Sequence, residues 1–141
     1  MGGINFGRVI LGGLVAGLLM NVGEFLLNGV ILHSAMVDWG TKHNLPPEPS
    51  TSFYVAAIGL TFVLGIITVW VYALIRSRLG AGPKTAIVAA LLMWFGIYFY
   101  SGVINGIILK IPTNELAIGI VWGVVEYVIA AIAGAWLYKE A

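Results

Sequence analysis

The sequence predicts an all-α fold, a bundle of four transmembrane helices with both termini on the cytoplasmic side. Three observations predict it. Of 141 residues, 60% are hydrophobic and only 9% charged, whereas a soluble domain carries about 25% charged residues to cover its surface. Mean hydropathy is +1.01. Four apolar stretches of roughly 20–25 residues take up nearly all of the chain, and each is long enough to cross a ~30 Å hydrocarbon layer at 1.5 Å per residue. The length suits a single membrane domain, 1–141.

The first span is expected at 8–32. Its apolar run is too long for the core of a signal peptide, it contains a glutamate, and only Arg8 precedes it, so it reads as a retained helix. A polar loop follows from His33 to Ser50 and ends in the proline-rich Leu45–Ser50, which reads as extended. The second span is expected at 51–75, capped by Ser50 or Thr51. Arg76 to Lys84 then form a basic turn, in which glycine ends one helix and Pro83 begins the next. The third span covers 84–109, and Lys110 to Thr113 form another short turn. Thr113 or Asn114 is expected to cap the fourth span, 114–138.

Orientation follows from the basic residues. One side carries Arg8, Arg76, Arg78, Lys84 and Lys139, and the other only Lys42 and Lys110, five against two. The richer side is the cytoplasmic one. Trp70, Tyr72, Trp136 and Tyr138 fit an inner aromatic belt, and Trp39, Phe53 and Tyr54 an outer one. Trp94 and Trp122 fall deeper and read as packing residues.

Composition also removes classes of function. Net charge is +1, with no basic run, so nucleic acid is not an expected partner. There are no cysteines, which removes thiolate chemistry and zinc-thiolate and iron–sulfur sites. The two histidines, His33 and His43, lie at or beyond the end of the first span, so a bis-histidine haem at mid-membrane is not expected. With Asp38 they form only a weak candidate for a metal or pigment site. No metal site and no particular cofactor is selected. No nucleophile–base pairing stands out, so an enzyme is not the expected class.

Each span carries one polar or small-residue stripe. In the first helix Gly13, Gly17, Asn21, Glu24 and Asn28 recur every three or four residues and share a face. Gly119, Gly123, Glu126, Ala130 and Gly134 do so in the fourth. The second offers Thr61, Gly65, Thr68 and Tyr72, and the third Tyr98, Ser101 and Asn105. The economical arrangement turns all four stripes inward, where small residues let backbones approach and polar groups find partners. A short echo relates Gly17–Phe25 to Gly119–Tyr127 at an offset of 102. In helices of opposite direction such an echo is the form an inverted repeat takes.

The glutamates require more than packing. An acid at mid-membrane costs ~2.5–3.5 kcal/mol on insertion scales. Counted at ~1.5 Å per residue from the outer end, Glu24 lies ~12 Å deep and Glu126 ~18 Å. The two would meet at a similar level, beside Asn21, Asn28 and Asn105. No Lys or Arg lies within a span away from its ends, so at least one acid is expected to carry a proton at neutral pH. The expected site is therefore Glu24, Glu126, Asn21, Asn28 and Asn105, binding a proton, a cation or a small polar ligand, with a structural protonated acid as the plainer alternative.

The stretches GRVILGGLVAGLLMNVGEFLLNGVIL (Gly7–Leu32) and WGVVEYVIAAIAGAWLYKE (Trp122–Glu140) resemble a group of uncharacterised small bacterial four-helix membrane proteins. The resemblance implies this topology and the bacterial cytoplasmic (inner) membrane, and it brings no activity. The layout is also similar to that of the small multidrug resistance transporters, in which one membrane glutamate of the first helix exchanges protons for cationic drugs. Glu24 occupies the matching position, but the surrounding sequence, the second acid and the longer first loop depart from that family. The similarity is one of layout. Two functions are therefore expected. One is small-scale transport through the acid–amide cluster, in a homodimer. The other is an accessory subunit of a larger respiratory or photosynthetic membrane complex, docked through glycine pairs such as Gly13/Gly17, Gly102/Gly106 and Gly119/Gly123.

Overall fold

A backbone in hydrocarbon has no water to satisfy its polar groups, so a long apolar run folds as a helix, which bonds them internally. A computed structural model of the protein describes residues 2–46 and 48–141. Pro47, within the proline-rich Leu45–Ser50 run, lies outside the described residues. Helix α1 spans Phe6–Ile31, α2 His33–Lys42, α3 Thr51–Leu79, α4 Pro83–Leu109 and α5 Thr113–Leu137. All but α2 are long and apolar enough to cross a membrane, which marks a multi-pass membrane protein.

Local chemistry sets the ends. Asn5 Oδ1 accepts from the Arg8 amide at 3.1 Å and opens α1, and Ser50 Oγ accepts from the Phe53 amide at 3.2 Å and opens α3. Helix α3 runs on through Arg76–Leu79, four residues past the expected end, because nothing there breaks a helix until Gly80. Gly80 and Gly82 take φ of +85° and +134°, a backbone region that glycine enters without penalty. Helix α5 begins directly after Pro112, which has no side-chain cap, so neither Thr113 nor Asn114 serves as the expected cap. The expected loop after the first span is also partly helical. From His33 to Val37 no glycine or proline interrupts the chain, and Ala35 and Trp39, one turn apart, give α2 a half-buried side.

The bundle is tightest at the end bearing both termini. Helix α1 lies between α3 and α5, and α4 closes against α5 and the near part of α3. Gly13, Gly17 and Gly65 let α1 and α3 touch backbone to backbone. A Cβ on Gly17 would fall 2.8 Å from Phe62 Cα, and one on Gly65 2.6 Å from Gly17 Cα. Gly12 meets Gly134 of α5 in the same way. Ala16, Ala86, Ala89, Ala90, Ala130 and Ala131 complete this small-residue core. At its base Tyr72 and Tyr138 meet edge to face at 6.0 Å. Arg76 lies over the Tyr138 ring at 5.4 Å and pairs with Glu140 at 3.4 Å.

The far half is looser. Apart from isolated contacts, α3 packs on α4 only over Pro83–Trp94, and beyond Phe95 the two separate. The inward-stripe expectation therefore fails at Asn105, although Tyr98 of the same stripe turns inward. Asn105 is exposed, because its helix has left α3 there, and its amide donates to Ser101 O of its own helix at 2.9 Å.

Gly65→Ala is expected to force α1 and α3 apart and cost about 1–3 kcal/mol, read from reversible denaturation in detergent. Gly59 has open space where a Cβ would stand, so Gly59→Ala in the same helix is expected to be neutral or slightly stabilising.

Candidate functional site

Where the tight half gives way to the loose one, α1 and α4 both change winding. Residues Leu27–Ile31 of α1 and Phe95–Tyr100 of α4 form π-helical turns, and the Leu32 amide reaches back to Leu27 O at 2.7 Å. Such turns re-aim side chains and concentrate at functional sites. Each carries one donor to the same acid. Asn28 Nδ2 donates to Glu24 Oε2 at 2.9 Å and to the Glu24 carbonyl at 3.1 Å. The Tyr98 hydroxyl, reaching across from α4, donates to Glu24 Oε1.

Tyr98 crosses the bundle because α5 offers no side chain in its way. A Cβ on Gly123 would fall 2.6 Å from Tyr98 Cγ. The ring is held edge-on against Tyr127 at 5.4 Å. Gly23 plays the same part for Glu126, whose carboxyl occupies the space that a Cβ there would need. The two acids are thus neighbours across the α1–α5 contact, Glu24 half-buried and Glu126 only 7% exposed.

Their surroundings differ sharply. Both Glu24 oxygens hold a hydrogen-bond donor. Both Glu126 oxygens are buried without one, the only side-chain oxygens so placed among the described residues. Trp122 is close, but its indole N–H is committed to Gly23 O at 3.1 Å. Trp94 is likewise committed, to Ile120 O at 2.9 Å. A buried polar group without a partner costs about 1–3 kcal/mol or more. The pair therefore combines one acid held by neutral donors with one open to an incoming proton, cation or donor.

Of the residues expected at the site, the structure brings Glu24, Glu126 and Asn28 together. Asn21 lies one turn away. Its amide donates to Gly17 O at 3.0 Å and to Ile58 O of α3 at 3.4 Å, so it ties helices together. Neither Asn21 nor Asn105 bonds a carboxyl among the described residues. Tyr98 and Trp122 were not among the expected site residues. Tyr98 shares its stripe with Ser101, and a buried phenol requires a partner, which was the available signal. The crossing over Gly123 left none. At the far boundary His33, Asp38 and His43 are exposed, and His43 stacks on Trp39 at 4.1 Å. No group of three metal-ligating side chains occurs among the described residues.

Fold and site define a multi-pass membrane protein with an intramembrane carboxyl pair. Compared with protein families, curated proteins and solved structures, the chain matches none. What the pair does is therefore argued from its geometry.

Tyr98→Phe keeps the ring and removes the donor to Glu24. A loss of about 1–3 kcal/mol is expected in reversible unfolding. Ser101→Ala, whose hydroxyl reaches only Gly96 O at 3.4 Å, is expected to stay within about 0.5 kcal/mol. Equal losses would deny the Tyr98–Glu24 bond any special weight.

Proposed function

We propose that this protein binds a proton, a cation or a small polar ligand at Glu24 and Glu126 within the membrane, and that it serves small-scale transport. One observation carries the reading. Two carboxyls adjoin inside the bundle, every Lys and Arg lies at or beyond the end of a span, and one of the two acids has no N–H or hydroxyl donor among the described residues. Ionisable residues kept at this depth against their insertion cost are functional by default. A pair finished for structure alone would have its oxygens satisfied, as Glu24 does through Asn28 and Tyr98.

The five-to-two excess of Lys and Arg on the side of the termini supports a cytoplasmic placement of both ends. The resemblance to small bacterial membrane proteins supports a bacterial cytoplasmic membrane. A four-helix bundle leaves little room for a channel, and a homodimer would enlarge the pathway.

The accessory-subunit reading draws on glycine pairs free to dock other helices. Gly13 and Gly17 are occupied by α3, Gly102 and Gly106 lie against Leu116, and Gly123 lies under Tyr98. Of these six, only Gly119 faces open space. The glycines thus favour transport over docking.

The test uses liposomes containing the full chain, with a pH gradient and a trapped pH-sensitive dye. Glu24→Gln is expected to abolish protein-dependent dissipation of the gradient while the variant still inserts. Dissipation at the wild-type rate in that variant would remove the proposal.

A further inference from the structure

On the lipid-facing side of the carboxyl pair, α1 and α5 part slightly and leave a groove of about 250 Å³. Gly23, Trp122 and Glu126 form its floor, and Val22, Val125 and Ile129 stand on its rim, each about half exposed. Glu126 lies near the middle of α5, about 17–20 Å from either helix end at 1.5 Å per residue. The groove therefore opens toward hydrocarbon and not toward water.

An apolar groove alone would hold an acyl chain, as many membrane-protein surfaces do. This one ends on a carboxyl that is buried and receives no N–H or hydroxyl donor from the described residues. A proton shared with Glu24 serves only one of the two Glu126 oxygens, and the other neighbouring donors are committed elsewhere: the Trp122 N–H to Gly23 O, and the Tyr98 hydroxyl and Asn28 amide to Glu24. Water is a poor substitute, because a buried water needs two to four polar partners and the rest of the lining is apolar. The missing partner is a donor carried into the membrane on an apolar body.

We infer that the α1–α5 groove is a lateral binding site for a lipid-soluble molecule that has an apolar body and a single N–H or O–H head group donating to Glu126. The apolar body lies against Val22, Val125 and Ile129, and the head reaches the floor beside Gly23, where the Glu126 carboxyl stands. An amine and a hydroxyl head share this chemistry, and the Trp122 ring beside the carboxyl suits a charged amine further. The inference rests on the reading of the carboxyl pair as a binding site and assigns that site its entrance and its class of ligand.

Photo-crosslinking tests it. Three probes share one diazirine-bearing alkyl chain and end in an amine, a hydroxyl or a methyl group. Each is added to the full-length protein in phospholipid nanodiscs, and labelled peptides are mapped by mass spectrometry. The amine probe, the hydroxyl probe or both are expected to label residues 19–26 and 122–129 about tenfold more than the methyl probe, the scale of a hydrogen bond to an otherwise unpaired group. The better of the two names the head group. Labelling is expected to fall to the methyl level in Glu126→Leu. It is expected to fall also in Val125→Trp, a lipid-exposed change that fills the groove and leaves the acid in place. Equal labelling by all three probes means that the groove holds acyl chains only and overturns the inference. Headed-probe labelling that persists in Val125→Trp overturns it as well. Either failure, found while Glu24→Gln still abolishes gradient dissipation, removes the lateral site and leaves the carboxyl-pair proposal standing.

Discussion

The approach of α1 to α3 and α5 through faces without side chains sets the rest of the structure. In lipid there is no hydrophobic force between helices, so close backbone contact and its dispersion energy must hold the bundle. Gly12, Gly13, Gly17, Gly65 and Gly134 provide that contact near the termini. Gly23 and Gly123 continue it toward the far half, but there the vacated volume is filled by functional groups. The Glu126 carboxyl stands against Gly23 and the Tyr98 ring against Gly123. One device, the missing Cβ, thus serves cohesion in one half and chemistry in the next.

The site sits at the change between these regimes. On the terminal side the four long helices are joined by alanines, glycines and the Tyr72–Tyr138 cluster. On the far side α3 and α4 diverge, and both π turns fall in this zone. A polar cluster in a rigid small-residue core would have no access, and one in a loose region would lack preorganisation. The carboxyl pair takes its geometry from the tight half and its access from the loose one. The unequal treatment of the two acids follows, because the π turns deliver donors to Glu24 and none to Glu126.

Much of the fold was legible because the bilayer allows few solutions. Apolar run length and the proline and glycine breaks located four spans, and where the ends moved the cause was local. Arg76–Leu79 continue α3 because they are good helix formers ahead of Gly80, and α2 forms because no breaker stands between His33 and Val37. Helical spacing also placed Glu24 and Asn28 on one face. What the sequence could not convey was the contact between helices. Asn105 repeats correctly on its stripe, yet its helix leans away from α3. Asn21 spends its amide on Gly17 and Ile58. Tyr98 joins the site only because Gly123 on another helix leaves it a path, a relation that periodicity along one chain does not carry.

The account stands or falls on whether Glu24 and Glu126 respond as one unit. Infrared difference spectroscopy across a pH step, on the reconstituted full-length protein, reads carboxyl protonation directly. Adjacent acids that share a site predict a carboxyl signal that is altered in Glu24→Gln, in Glu126→Gln, and in each by more than the loss of one independent group. A wild-type spectrum equal to the sum of two independent acids, or one that neither substitution changes, would contradict the account.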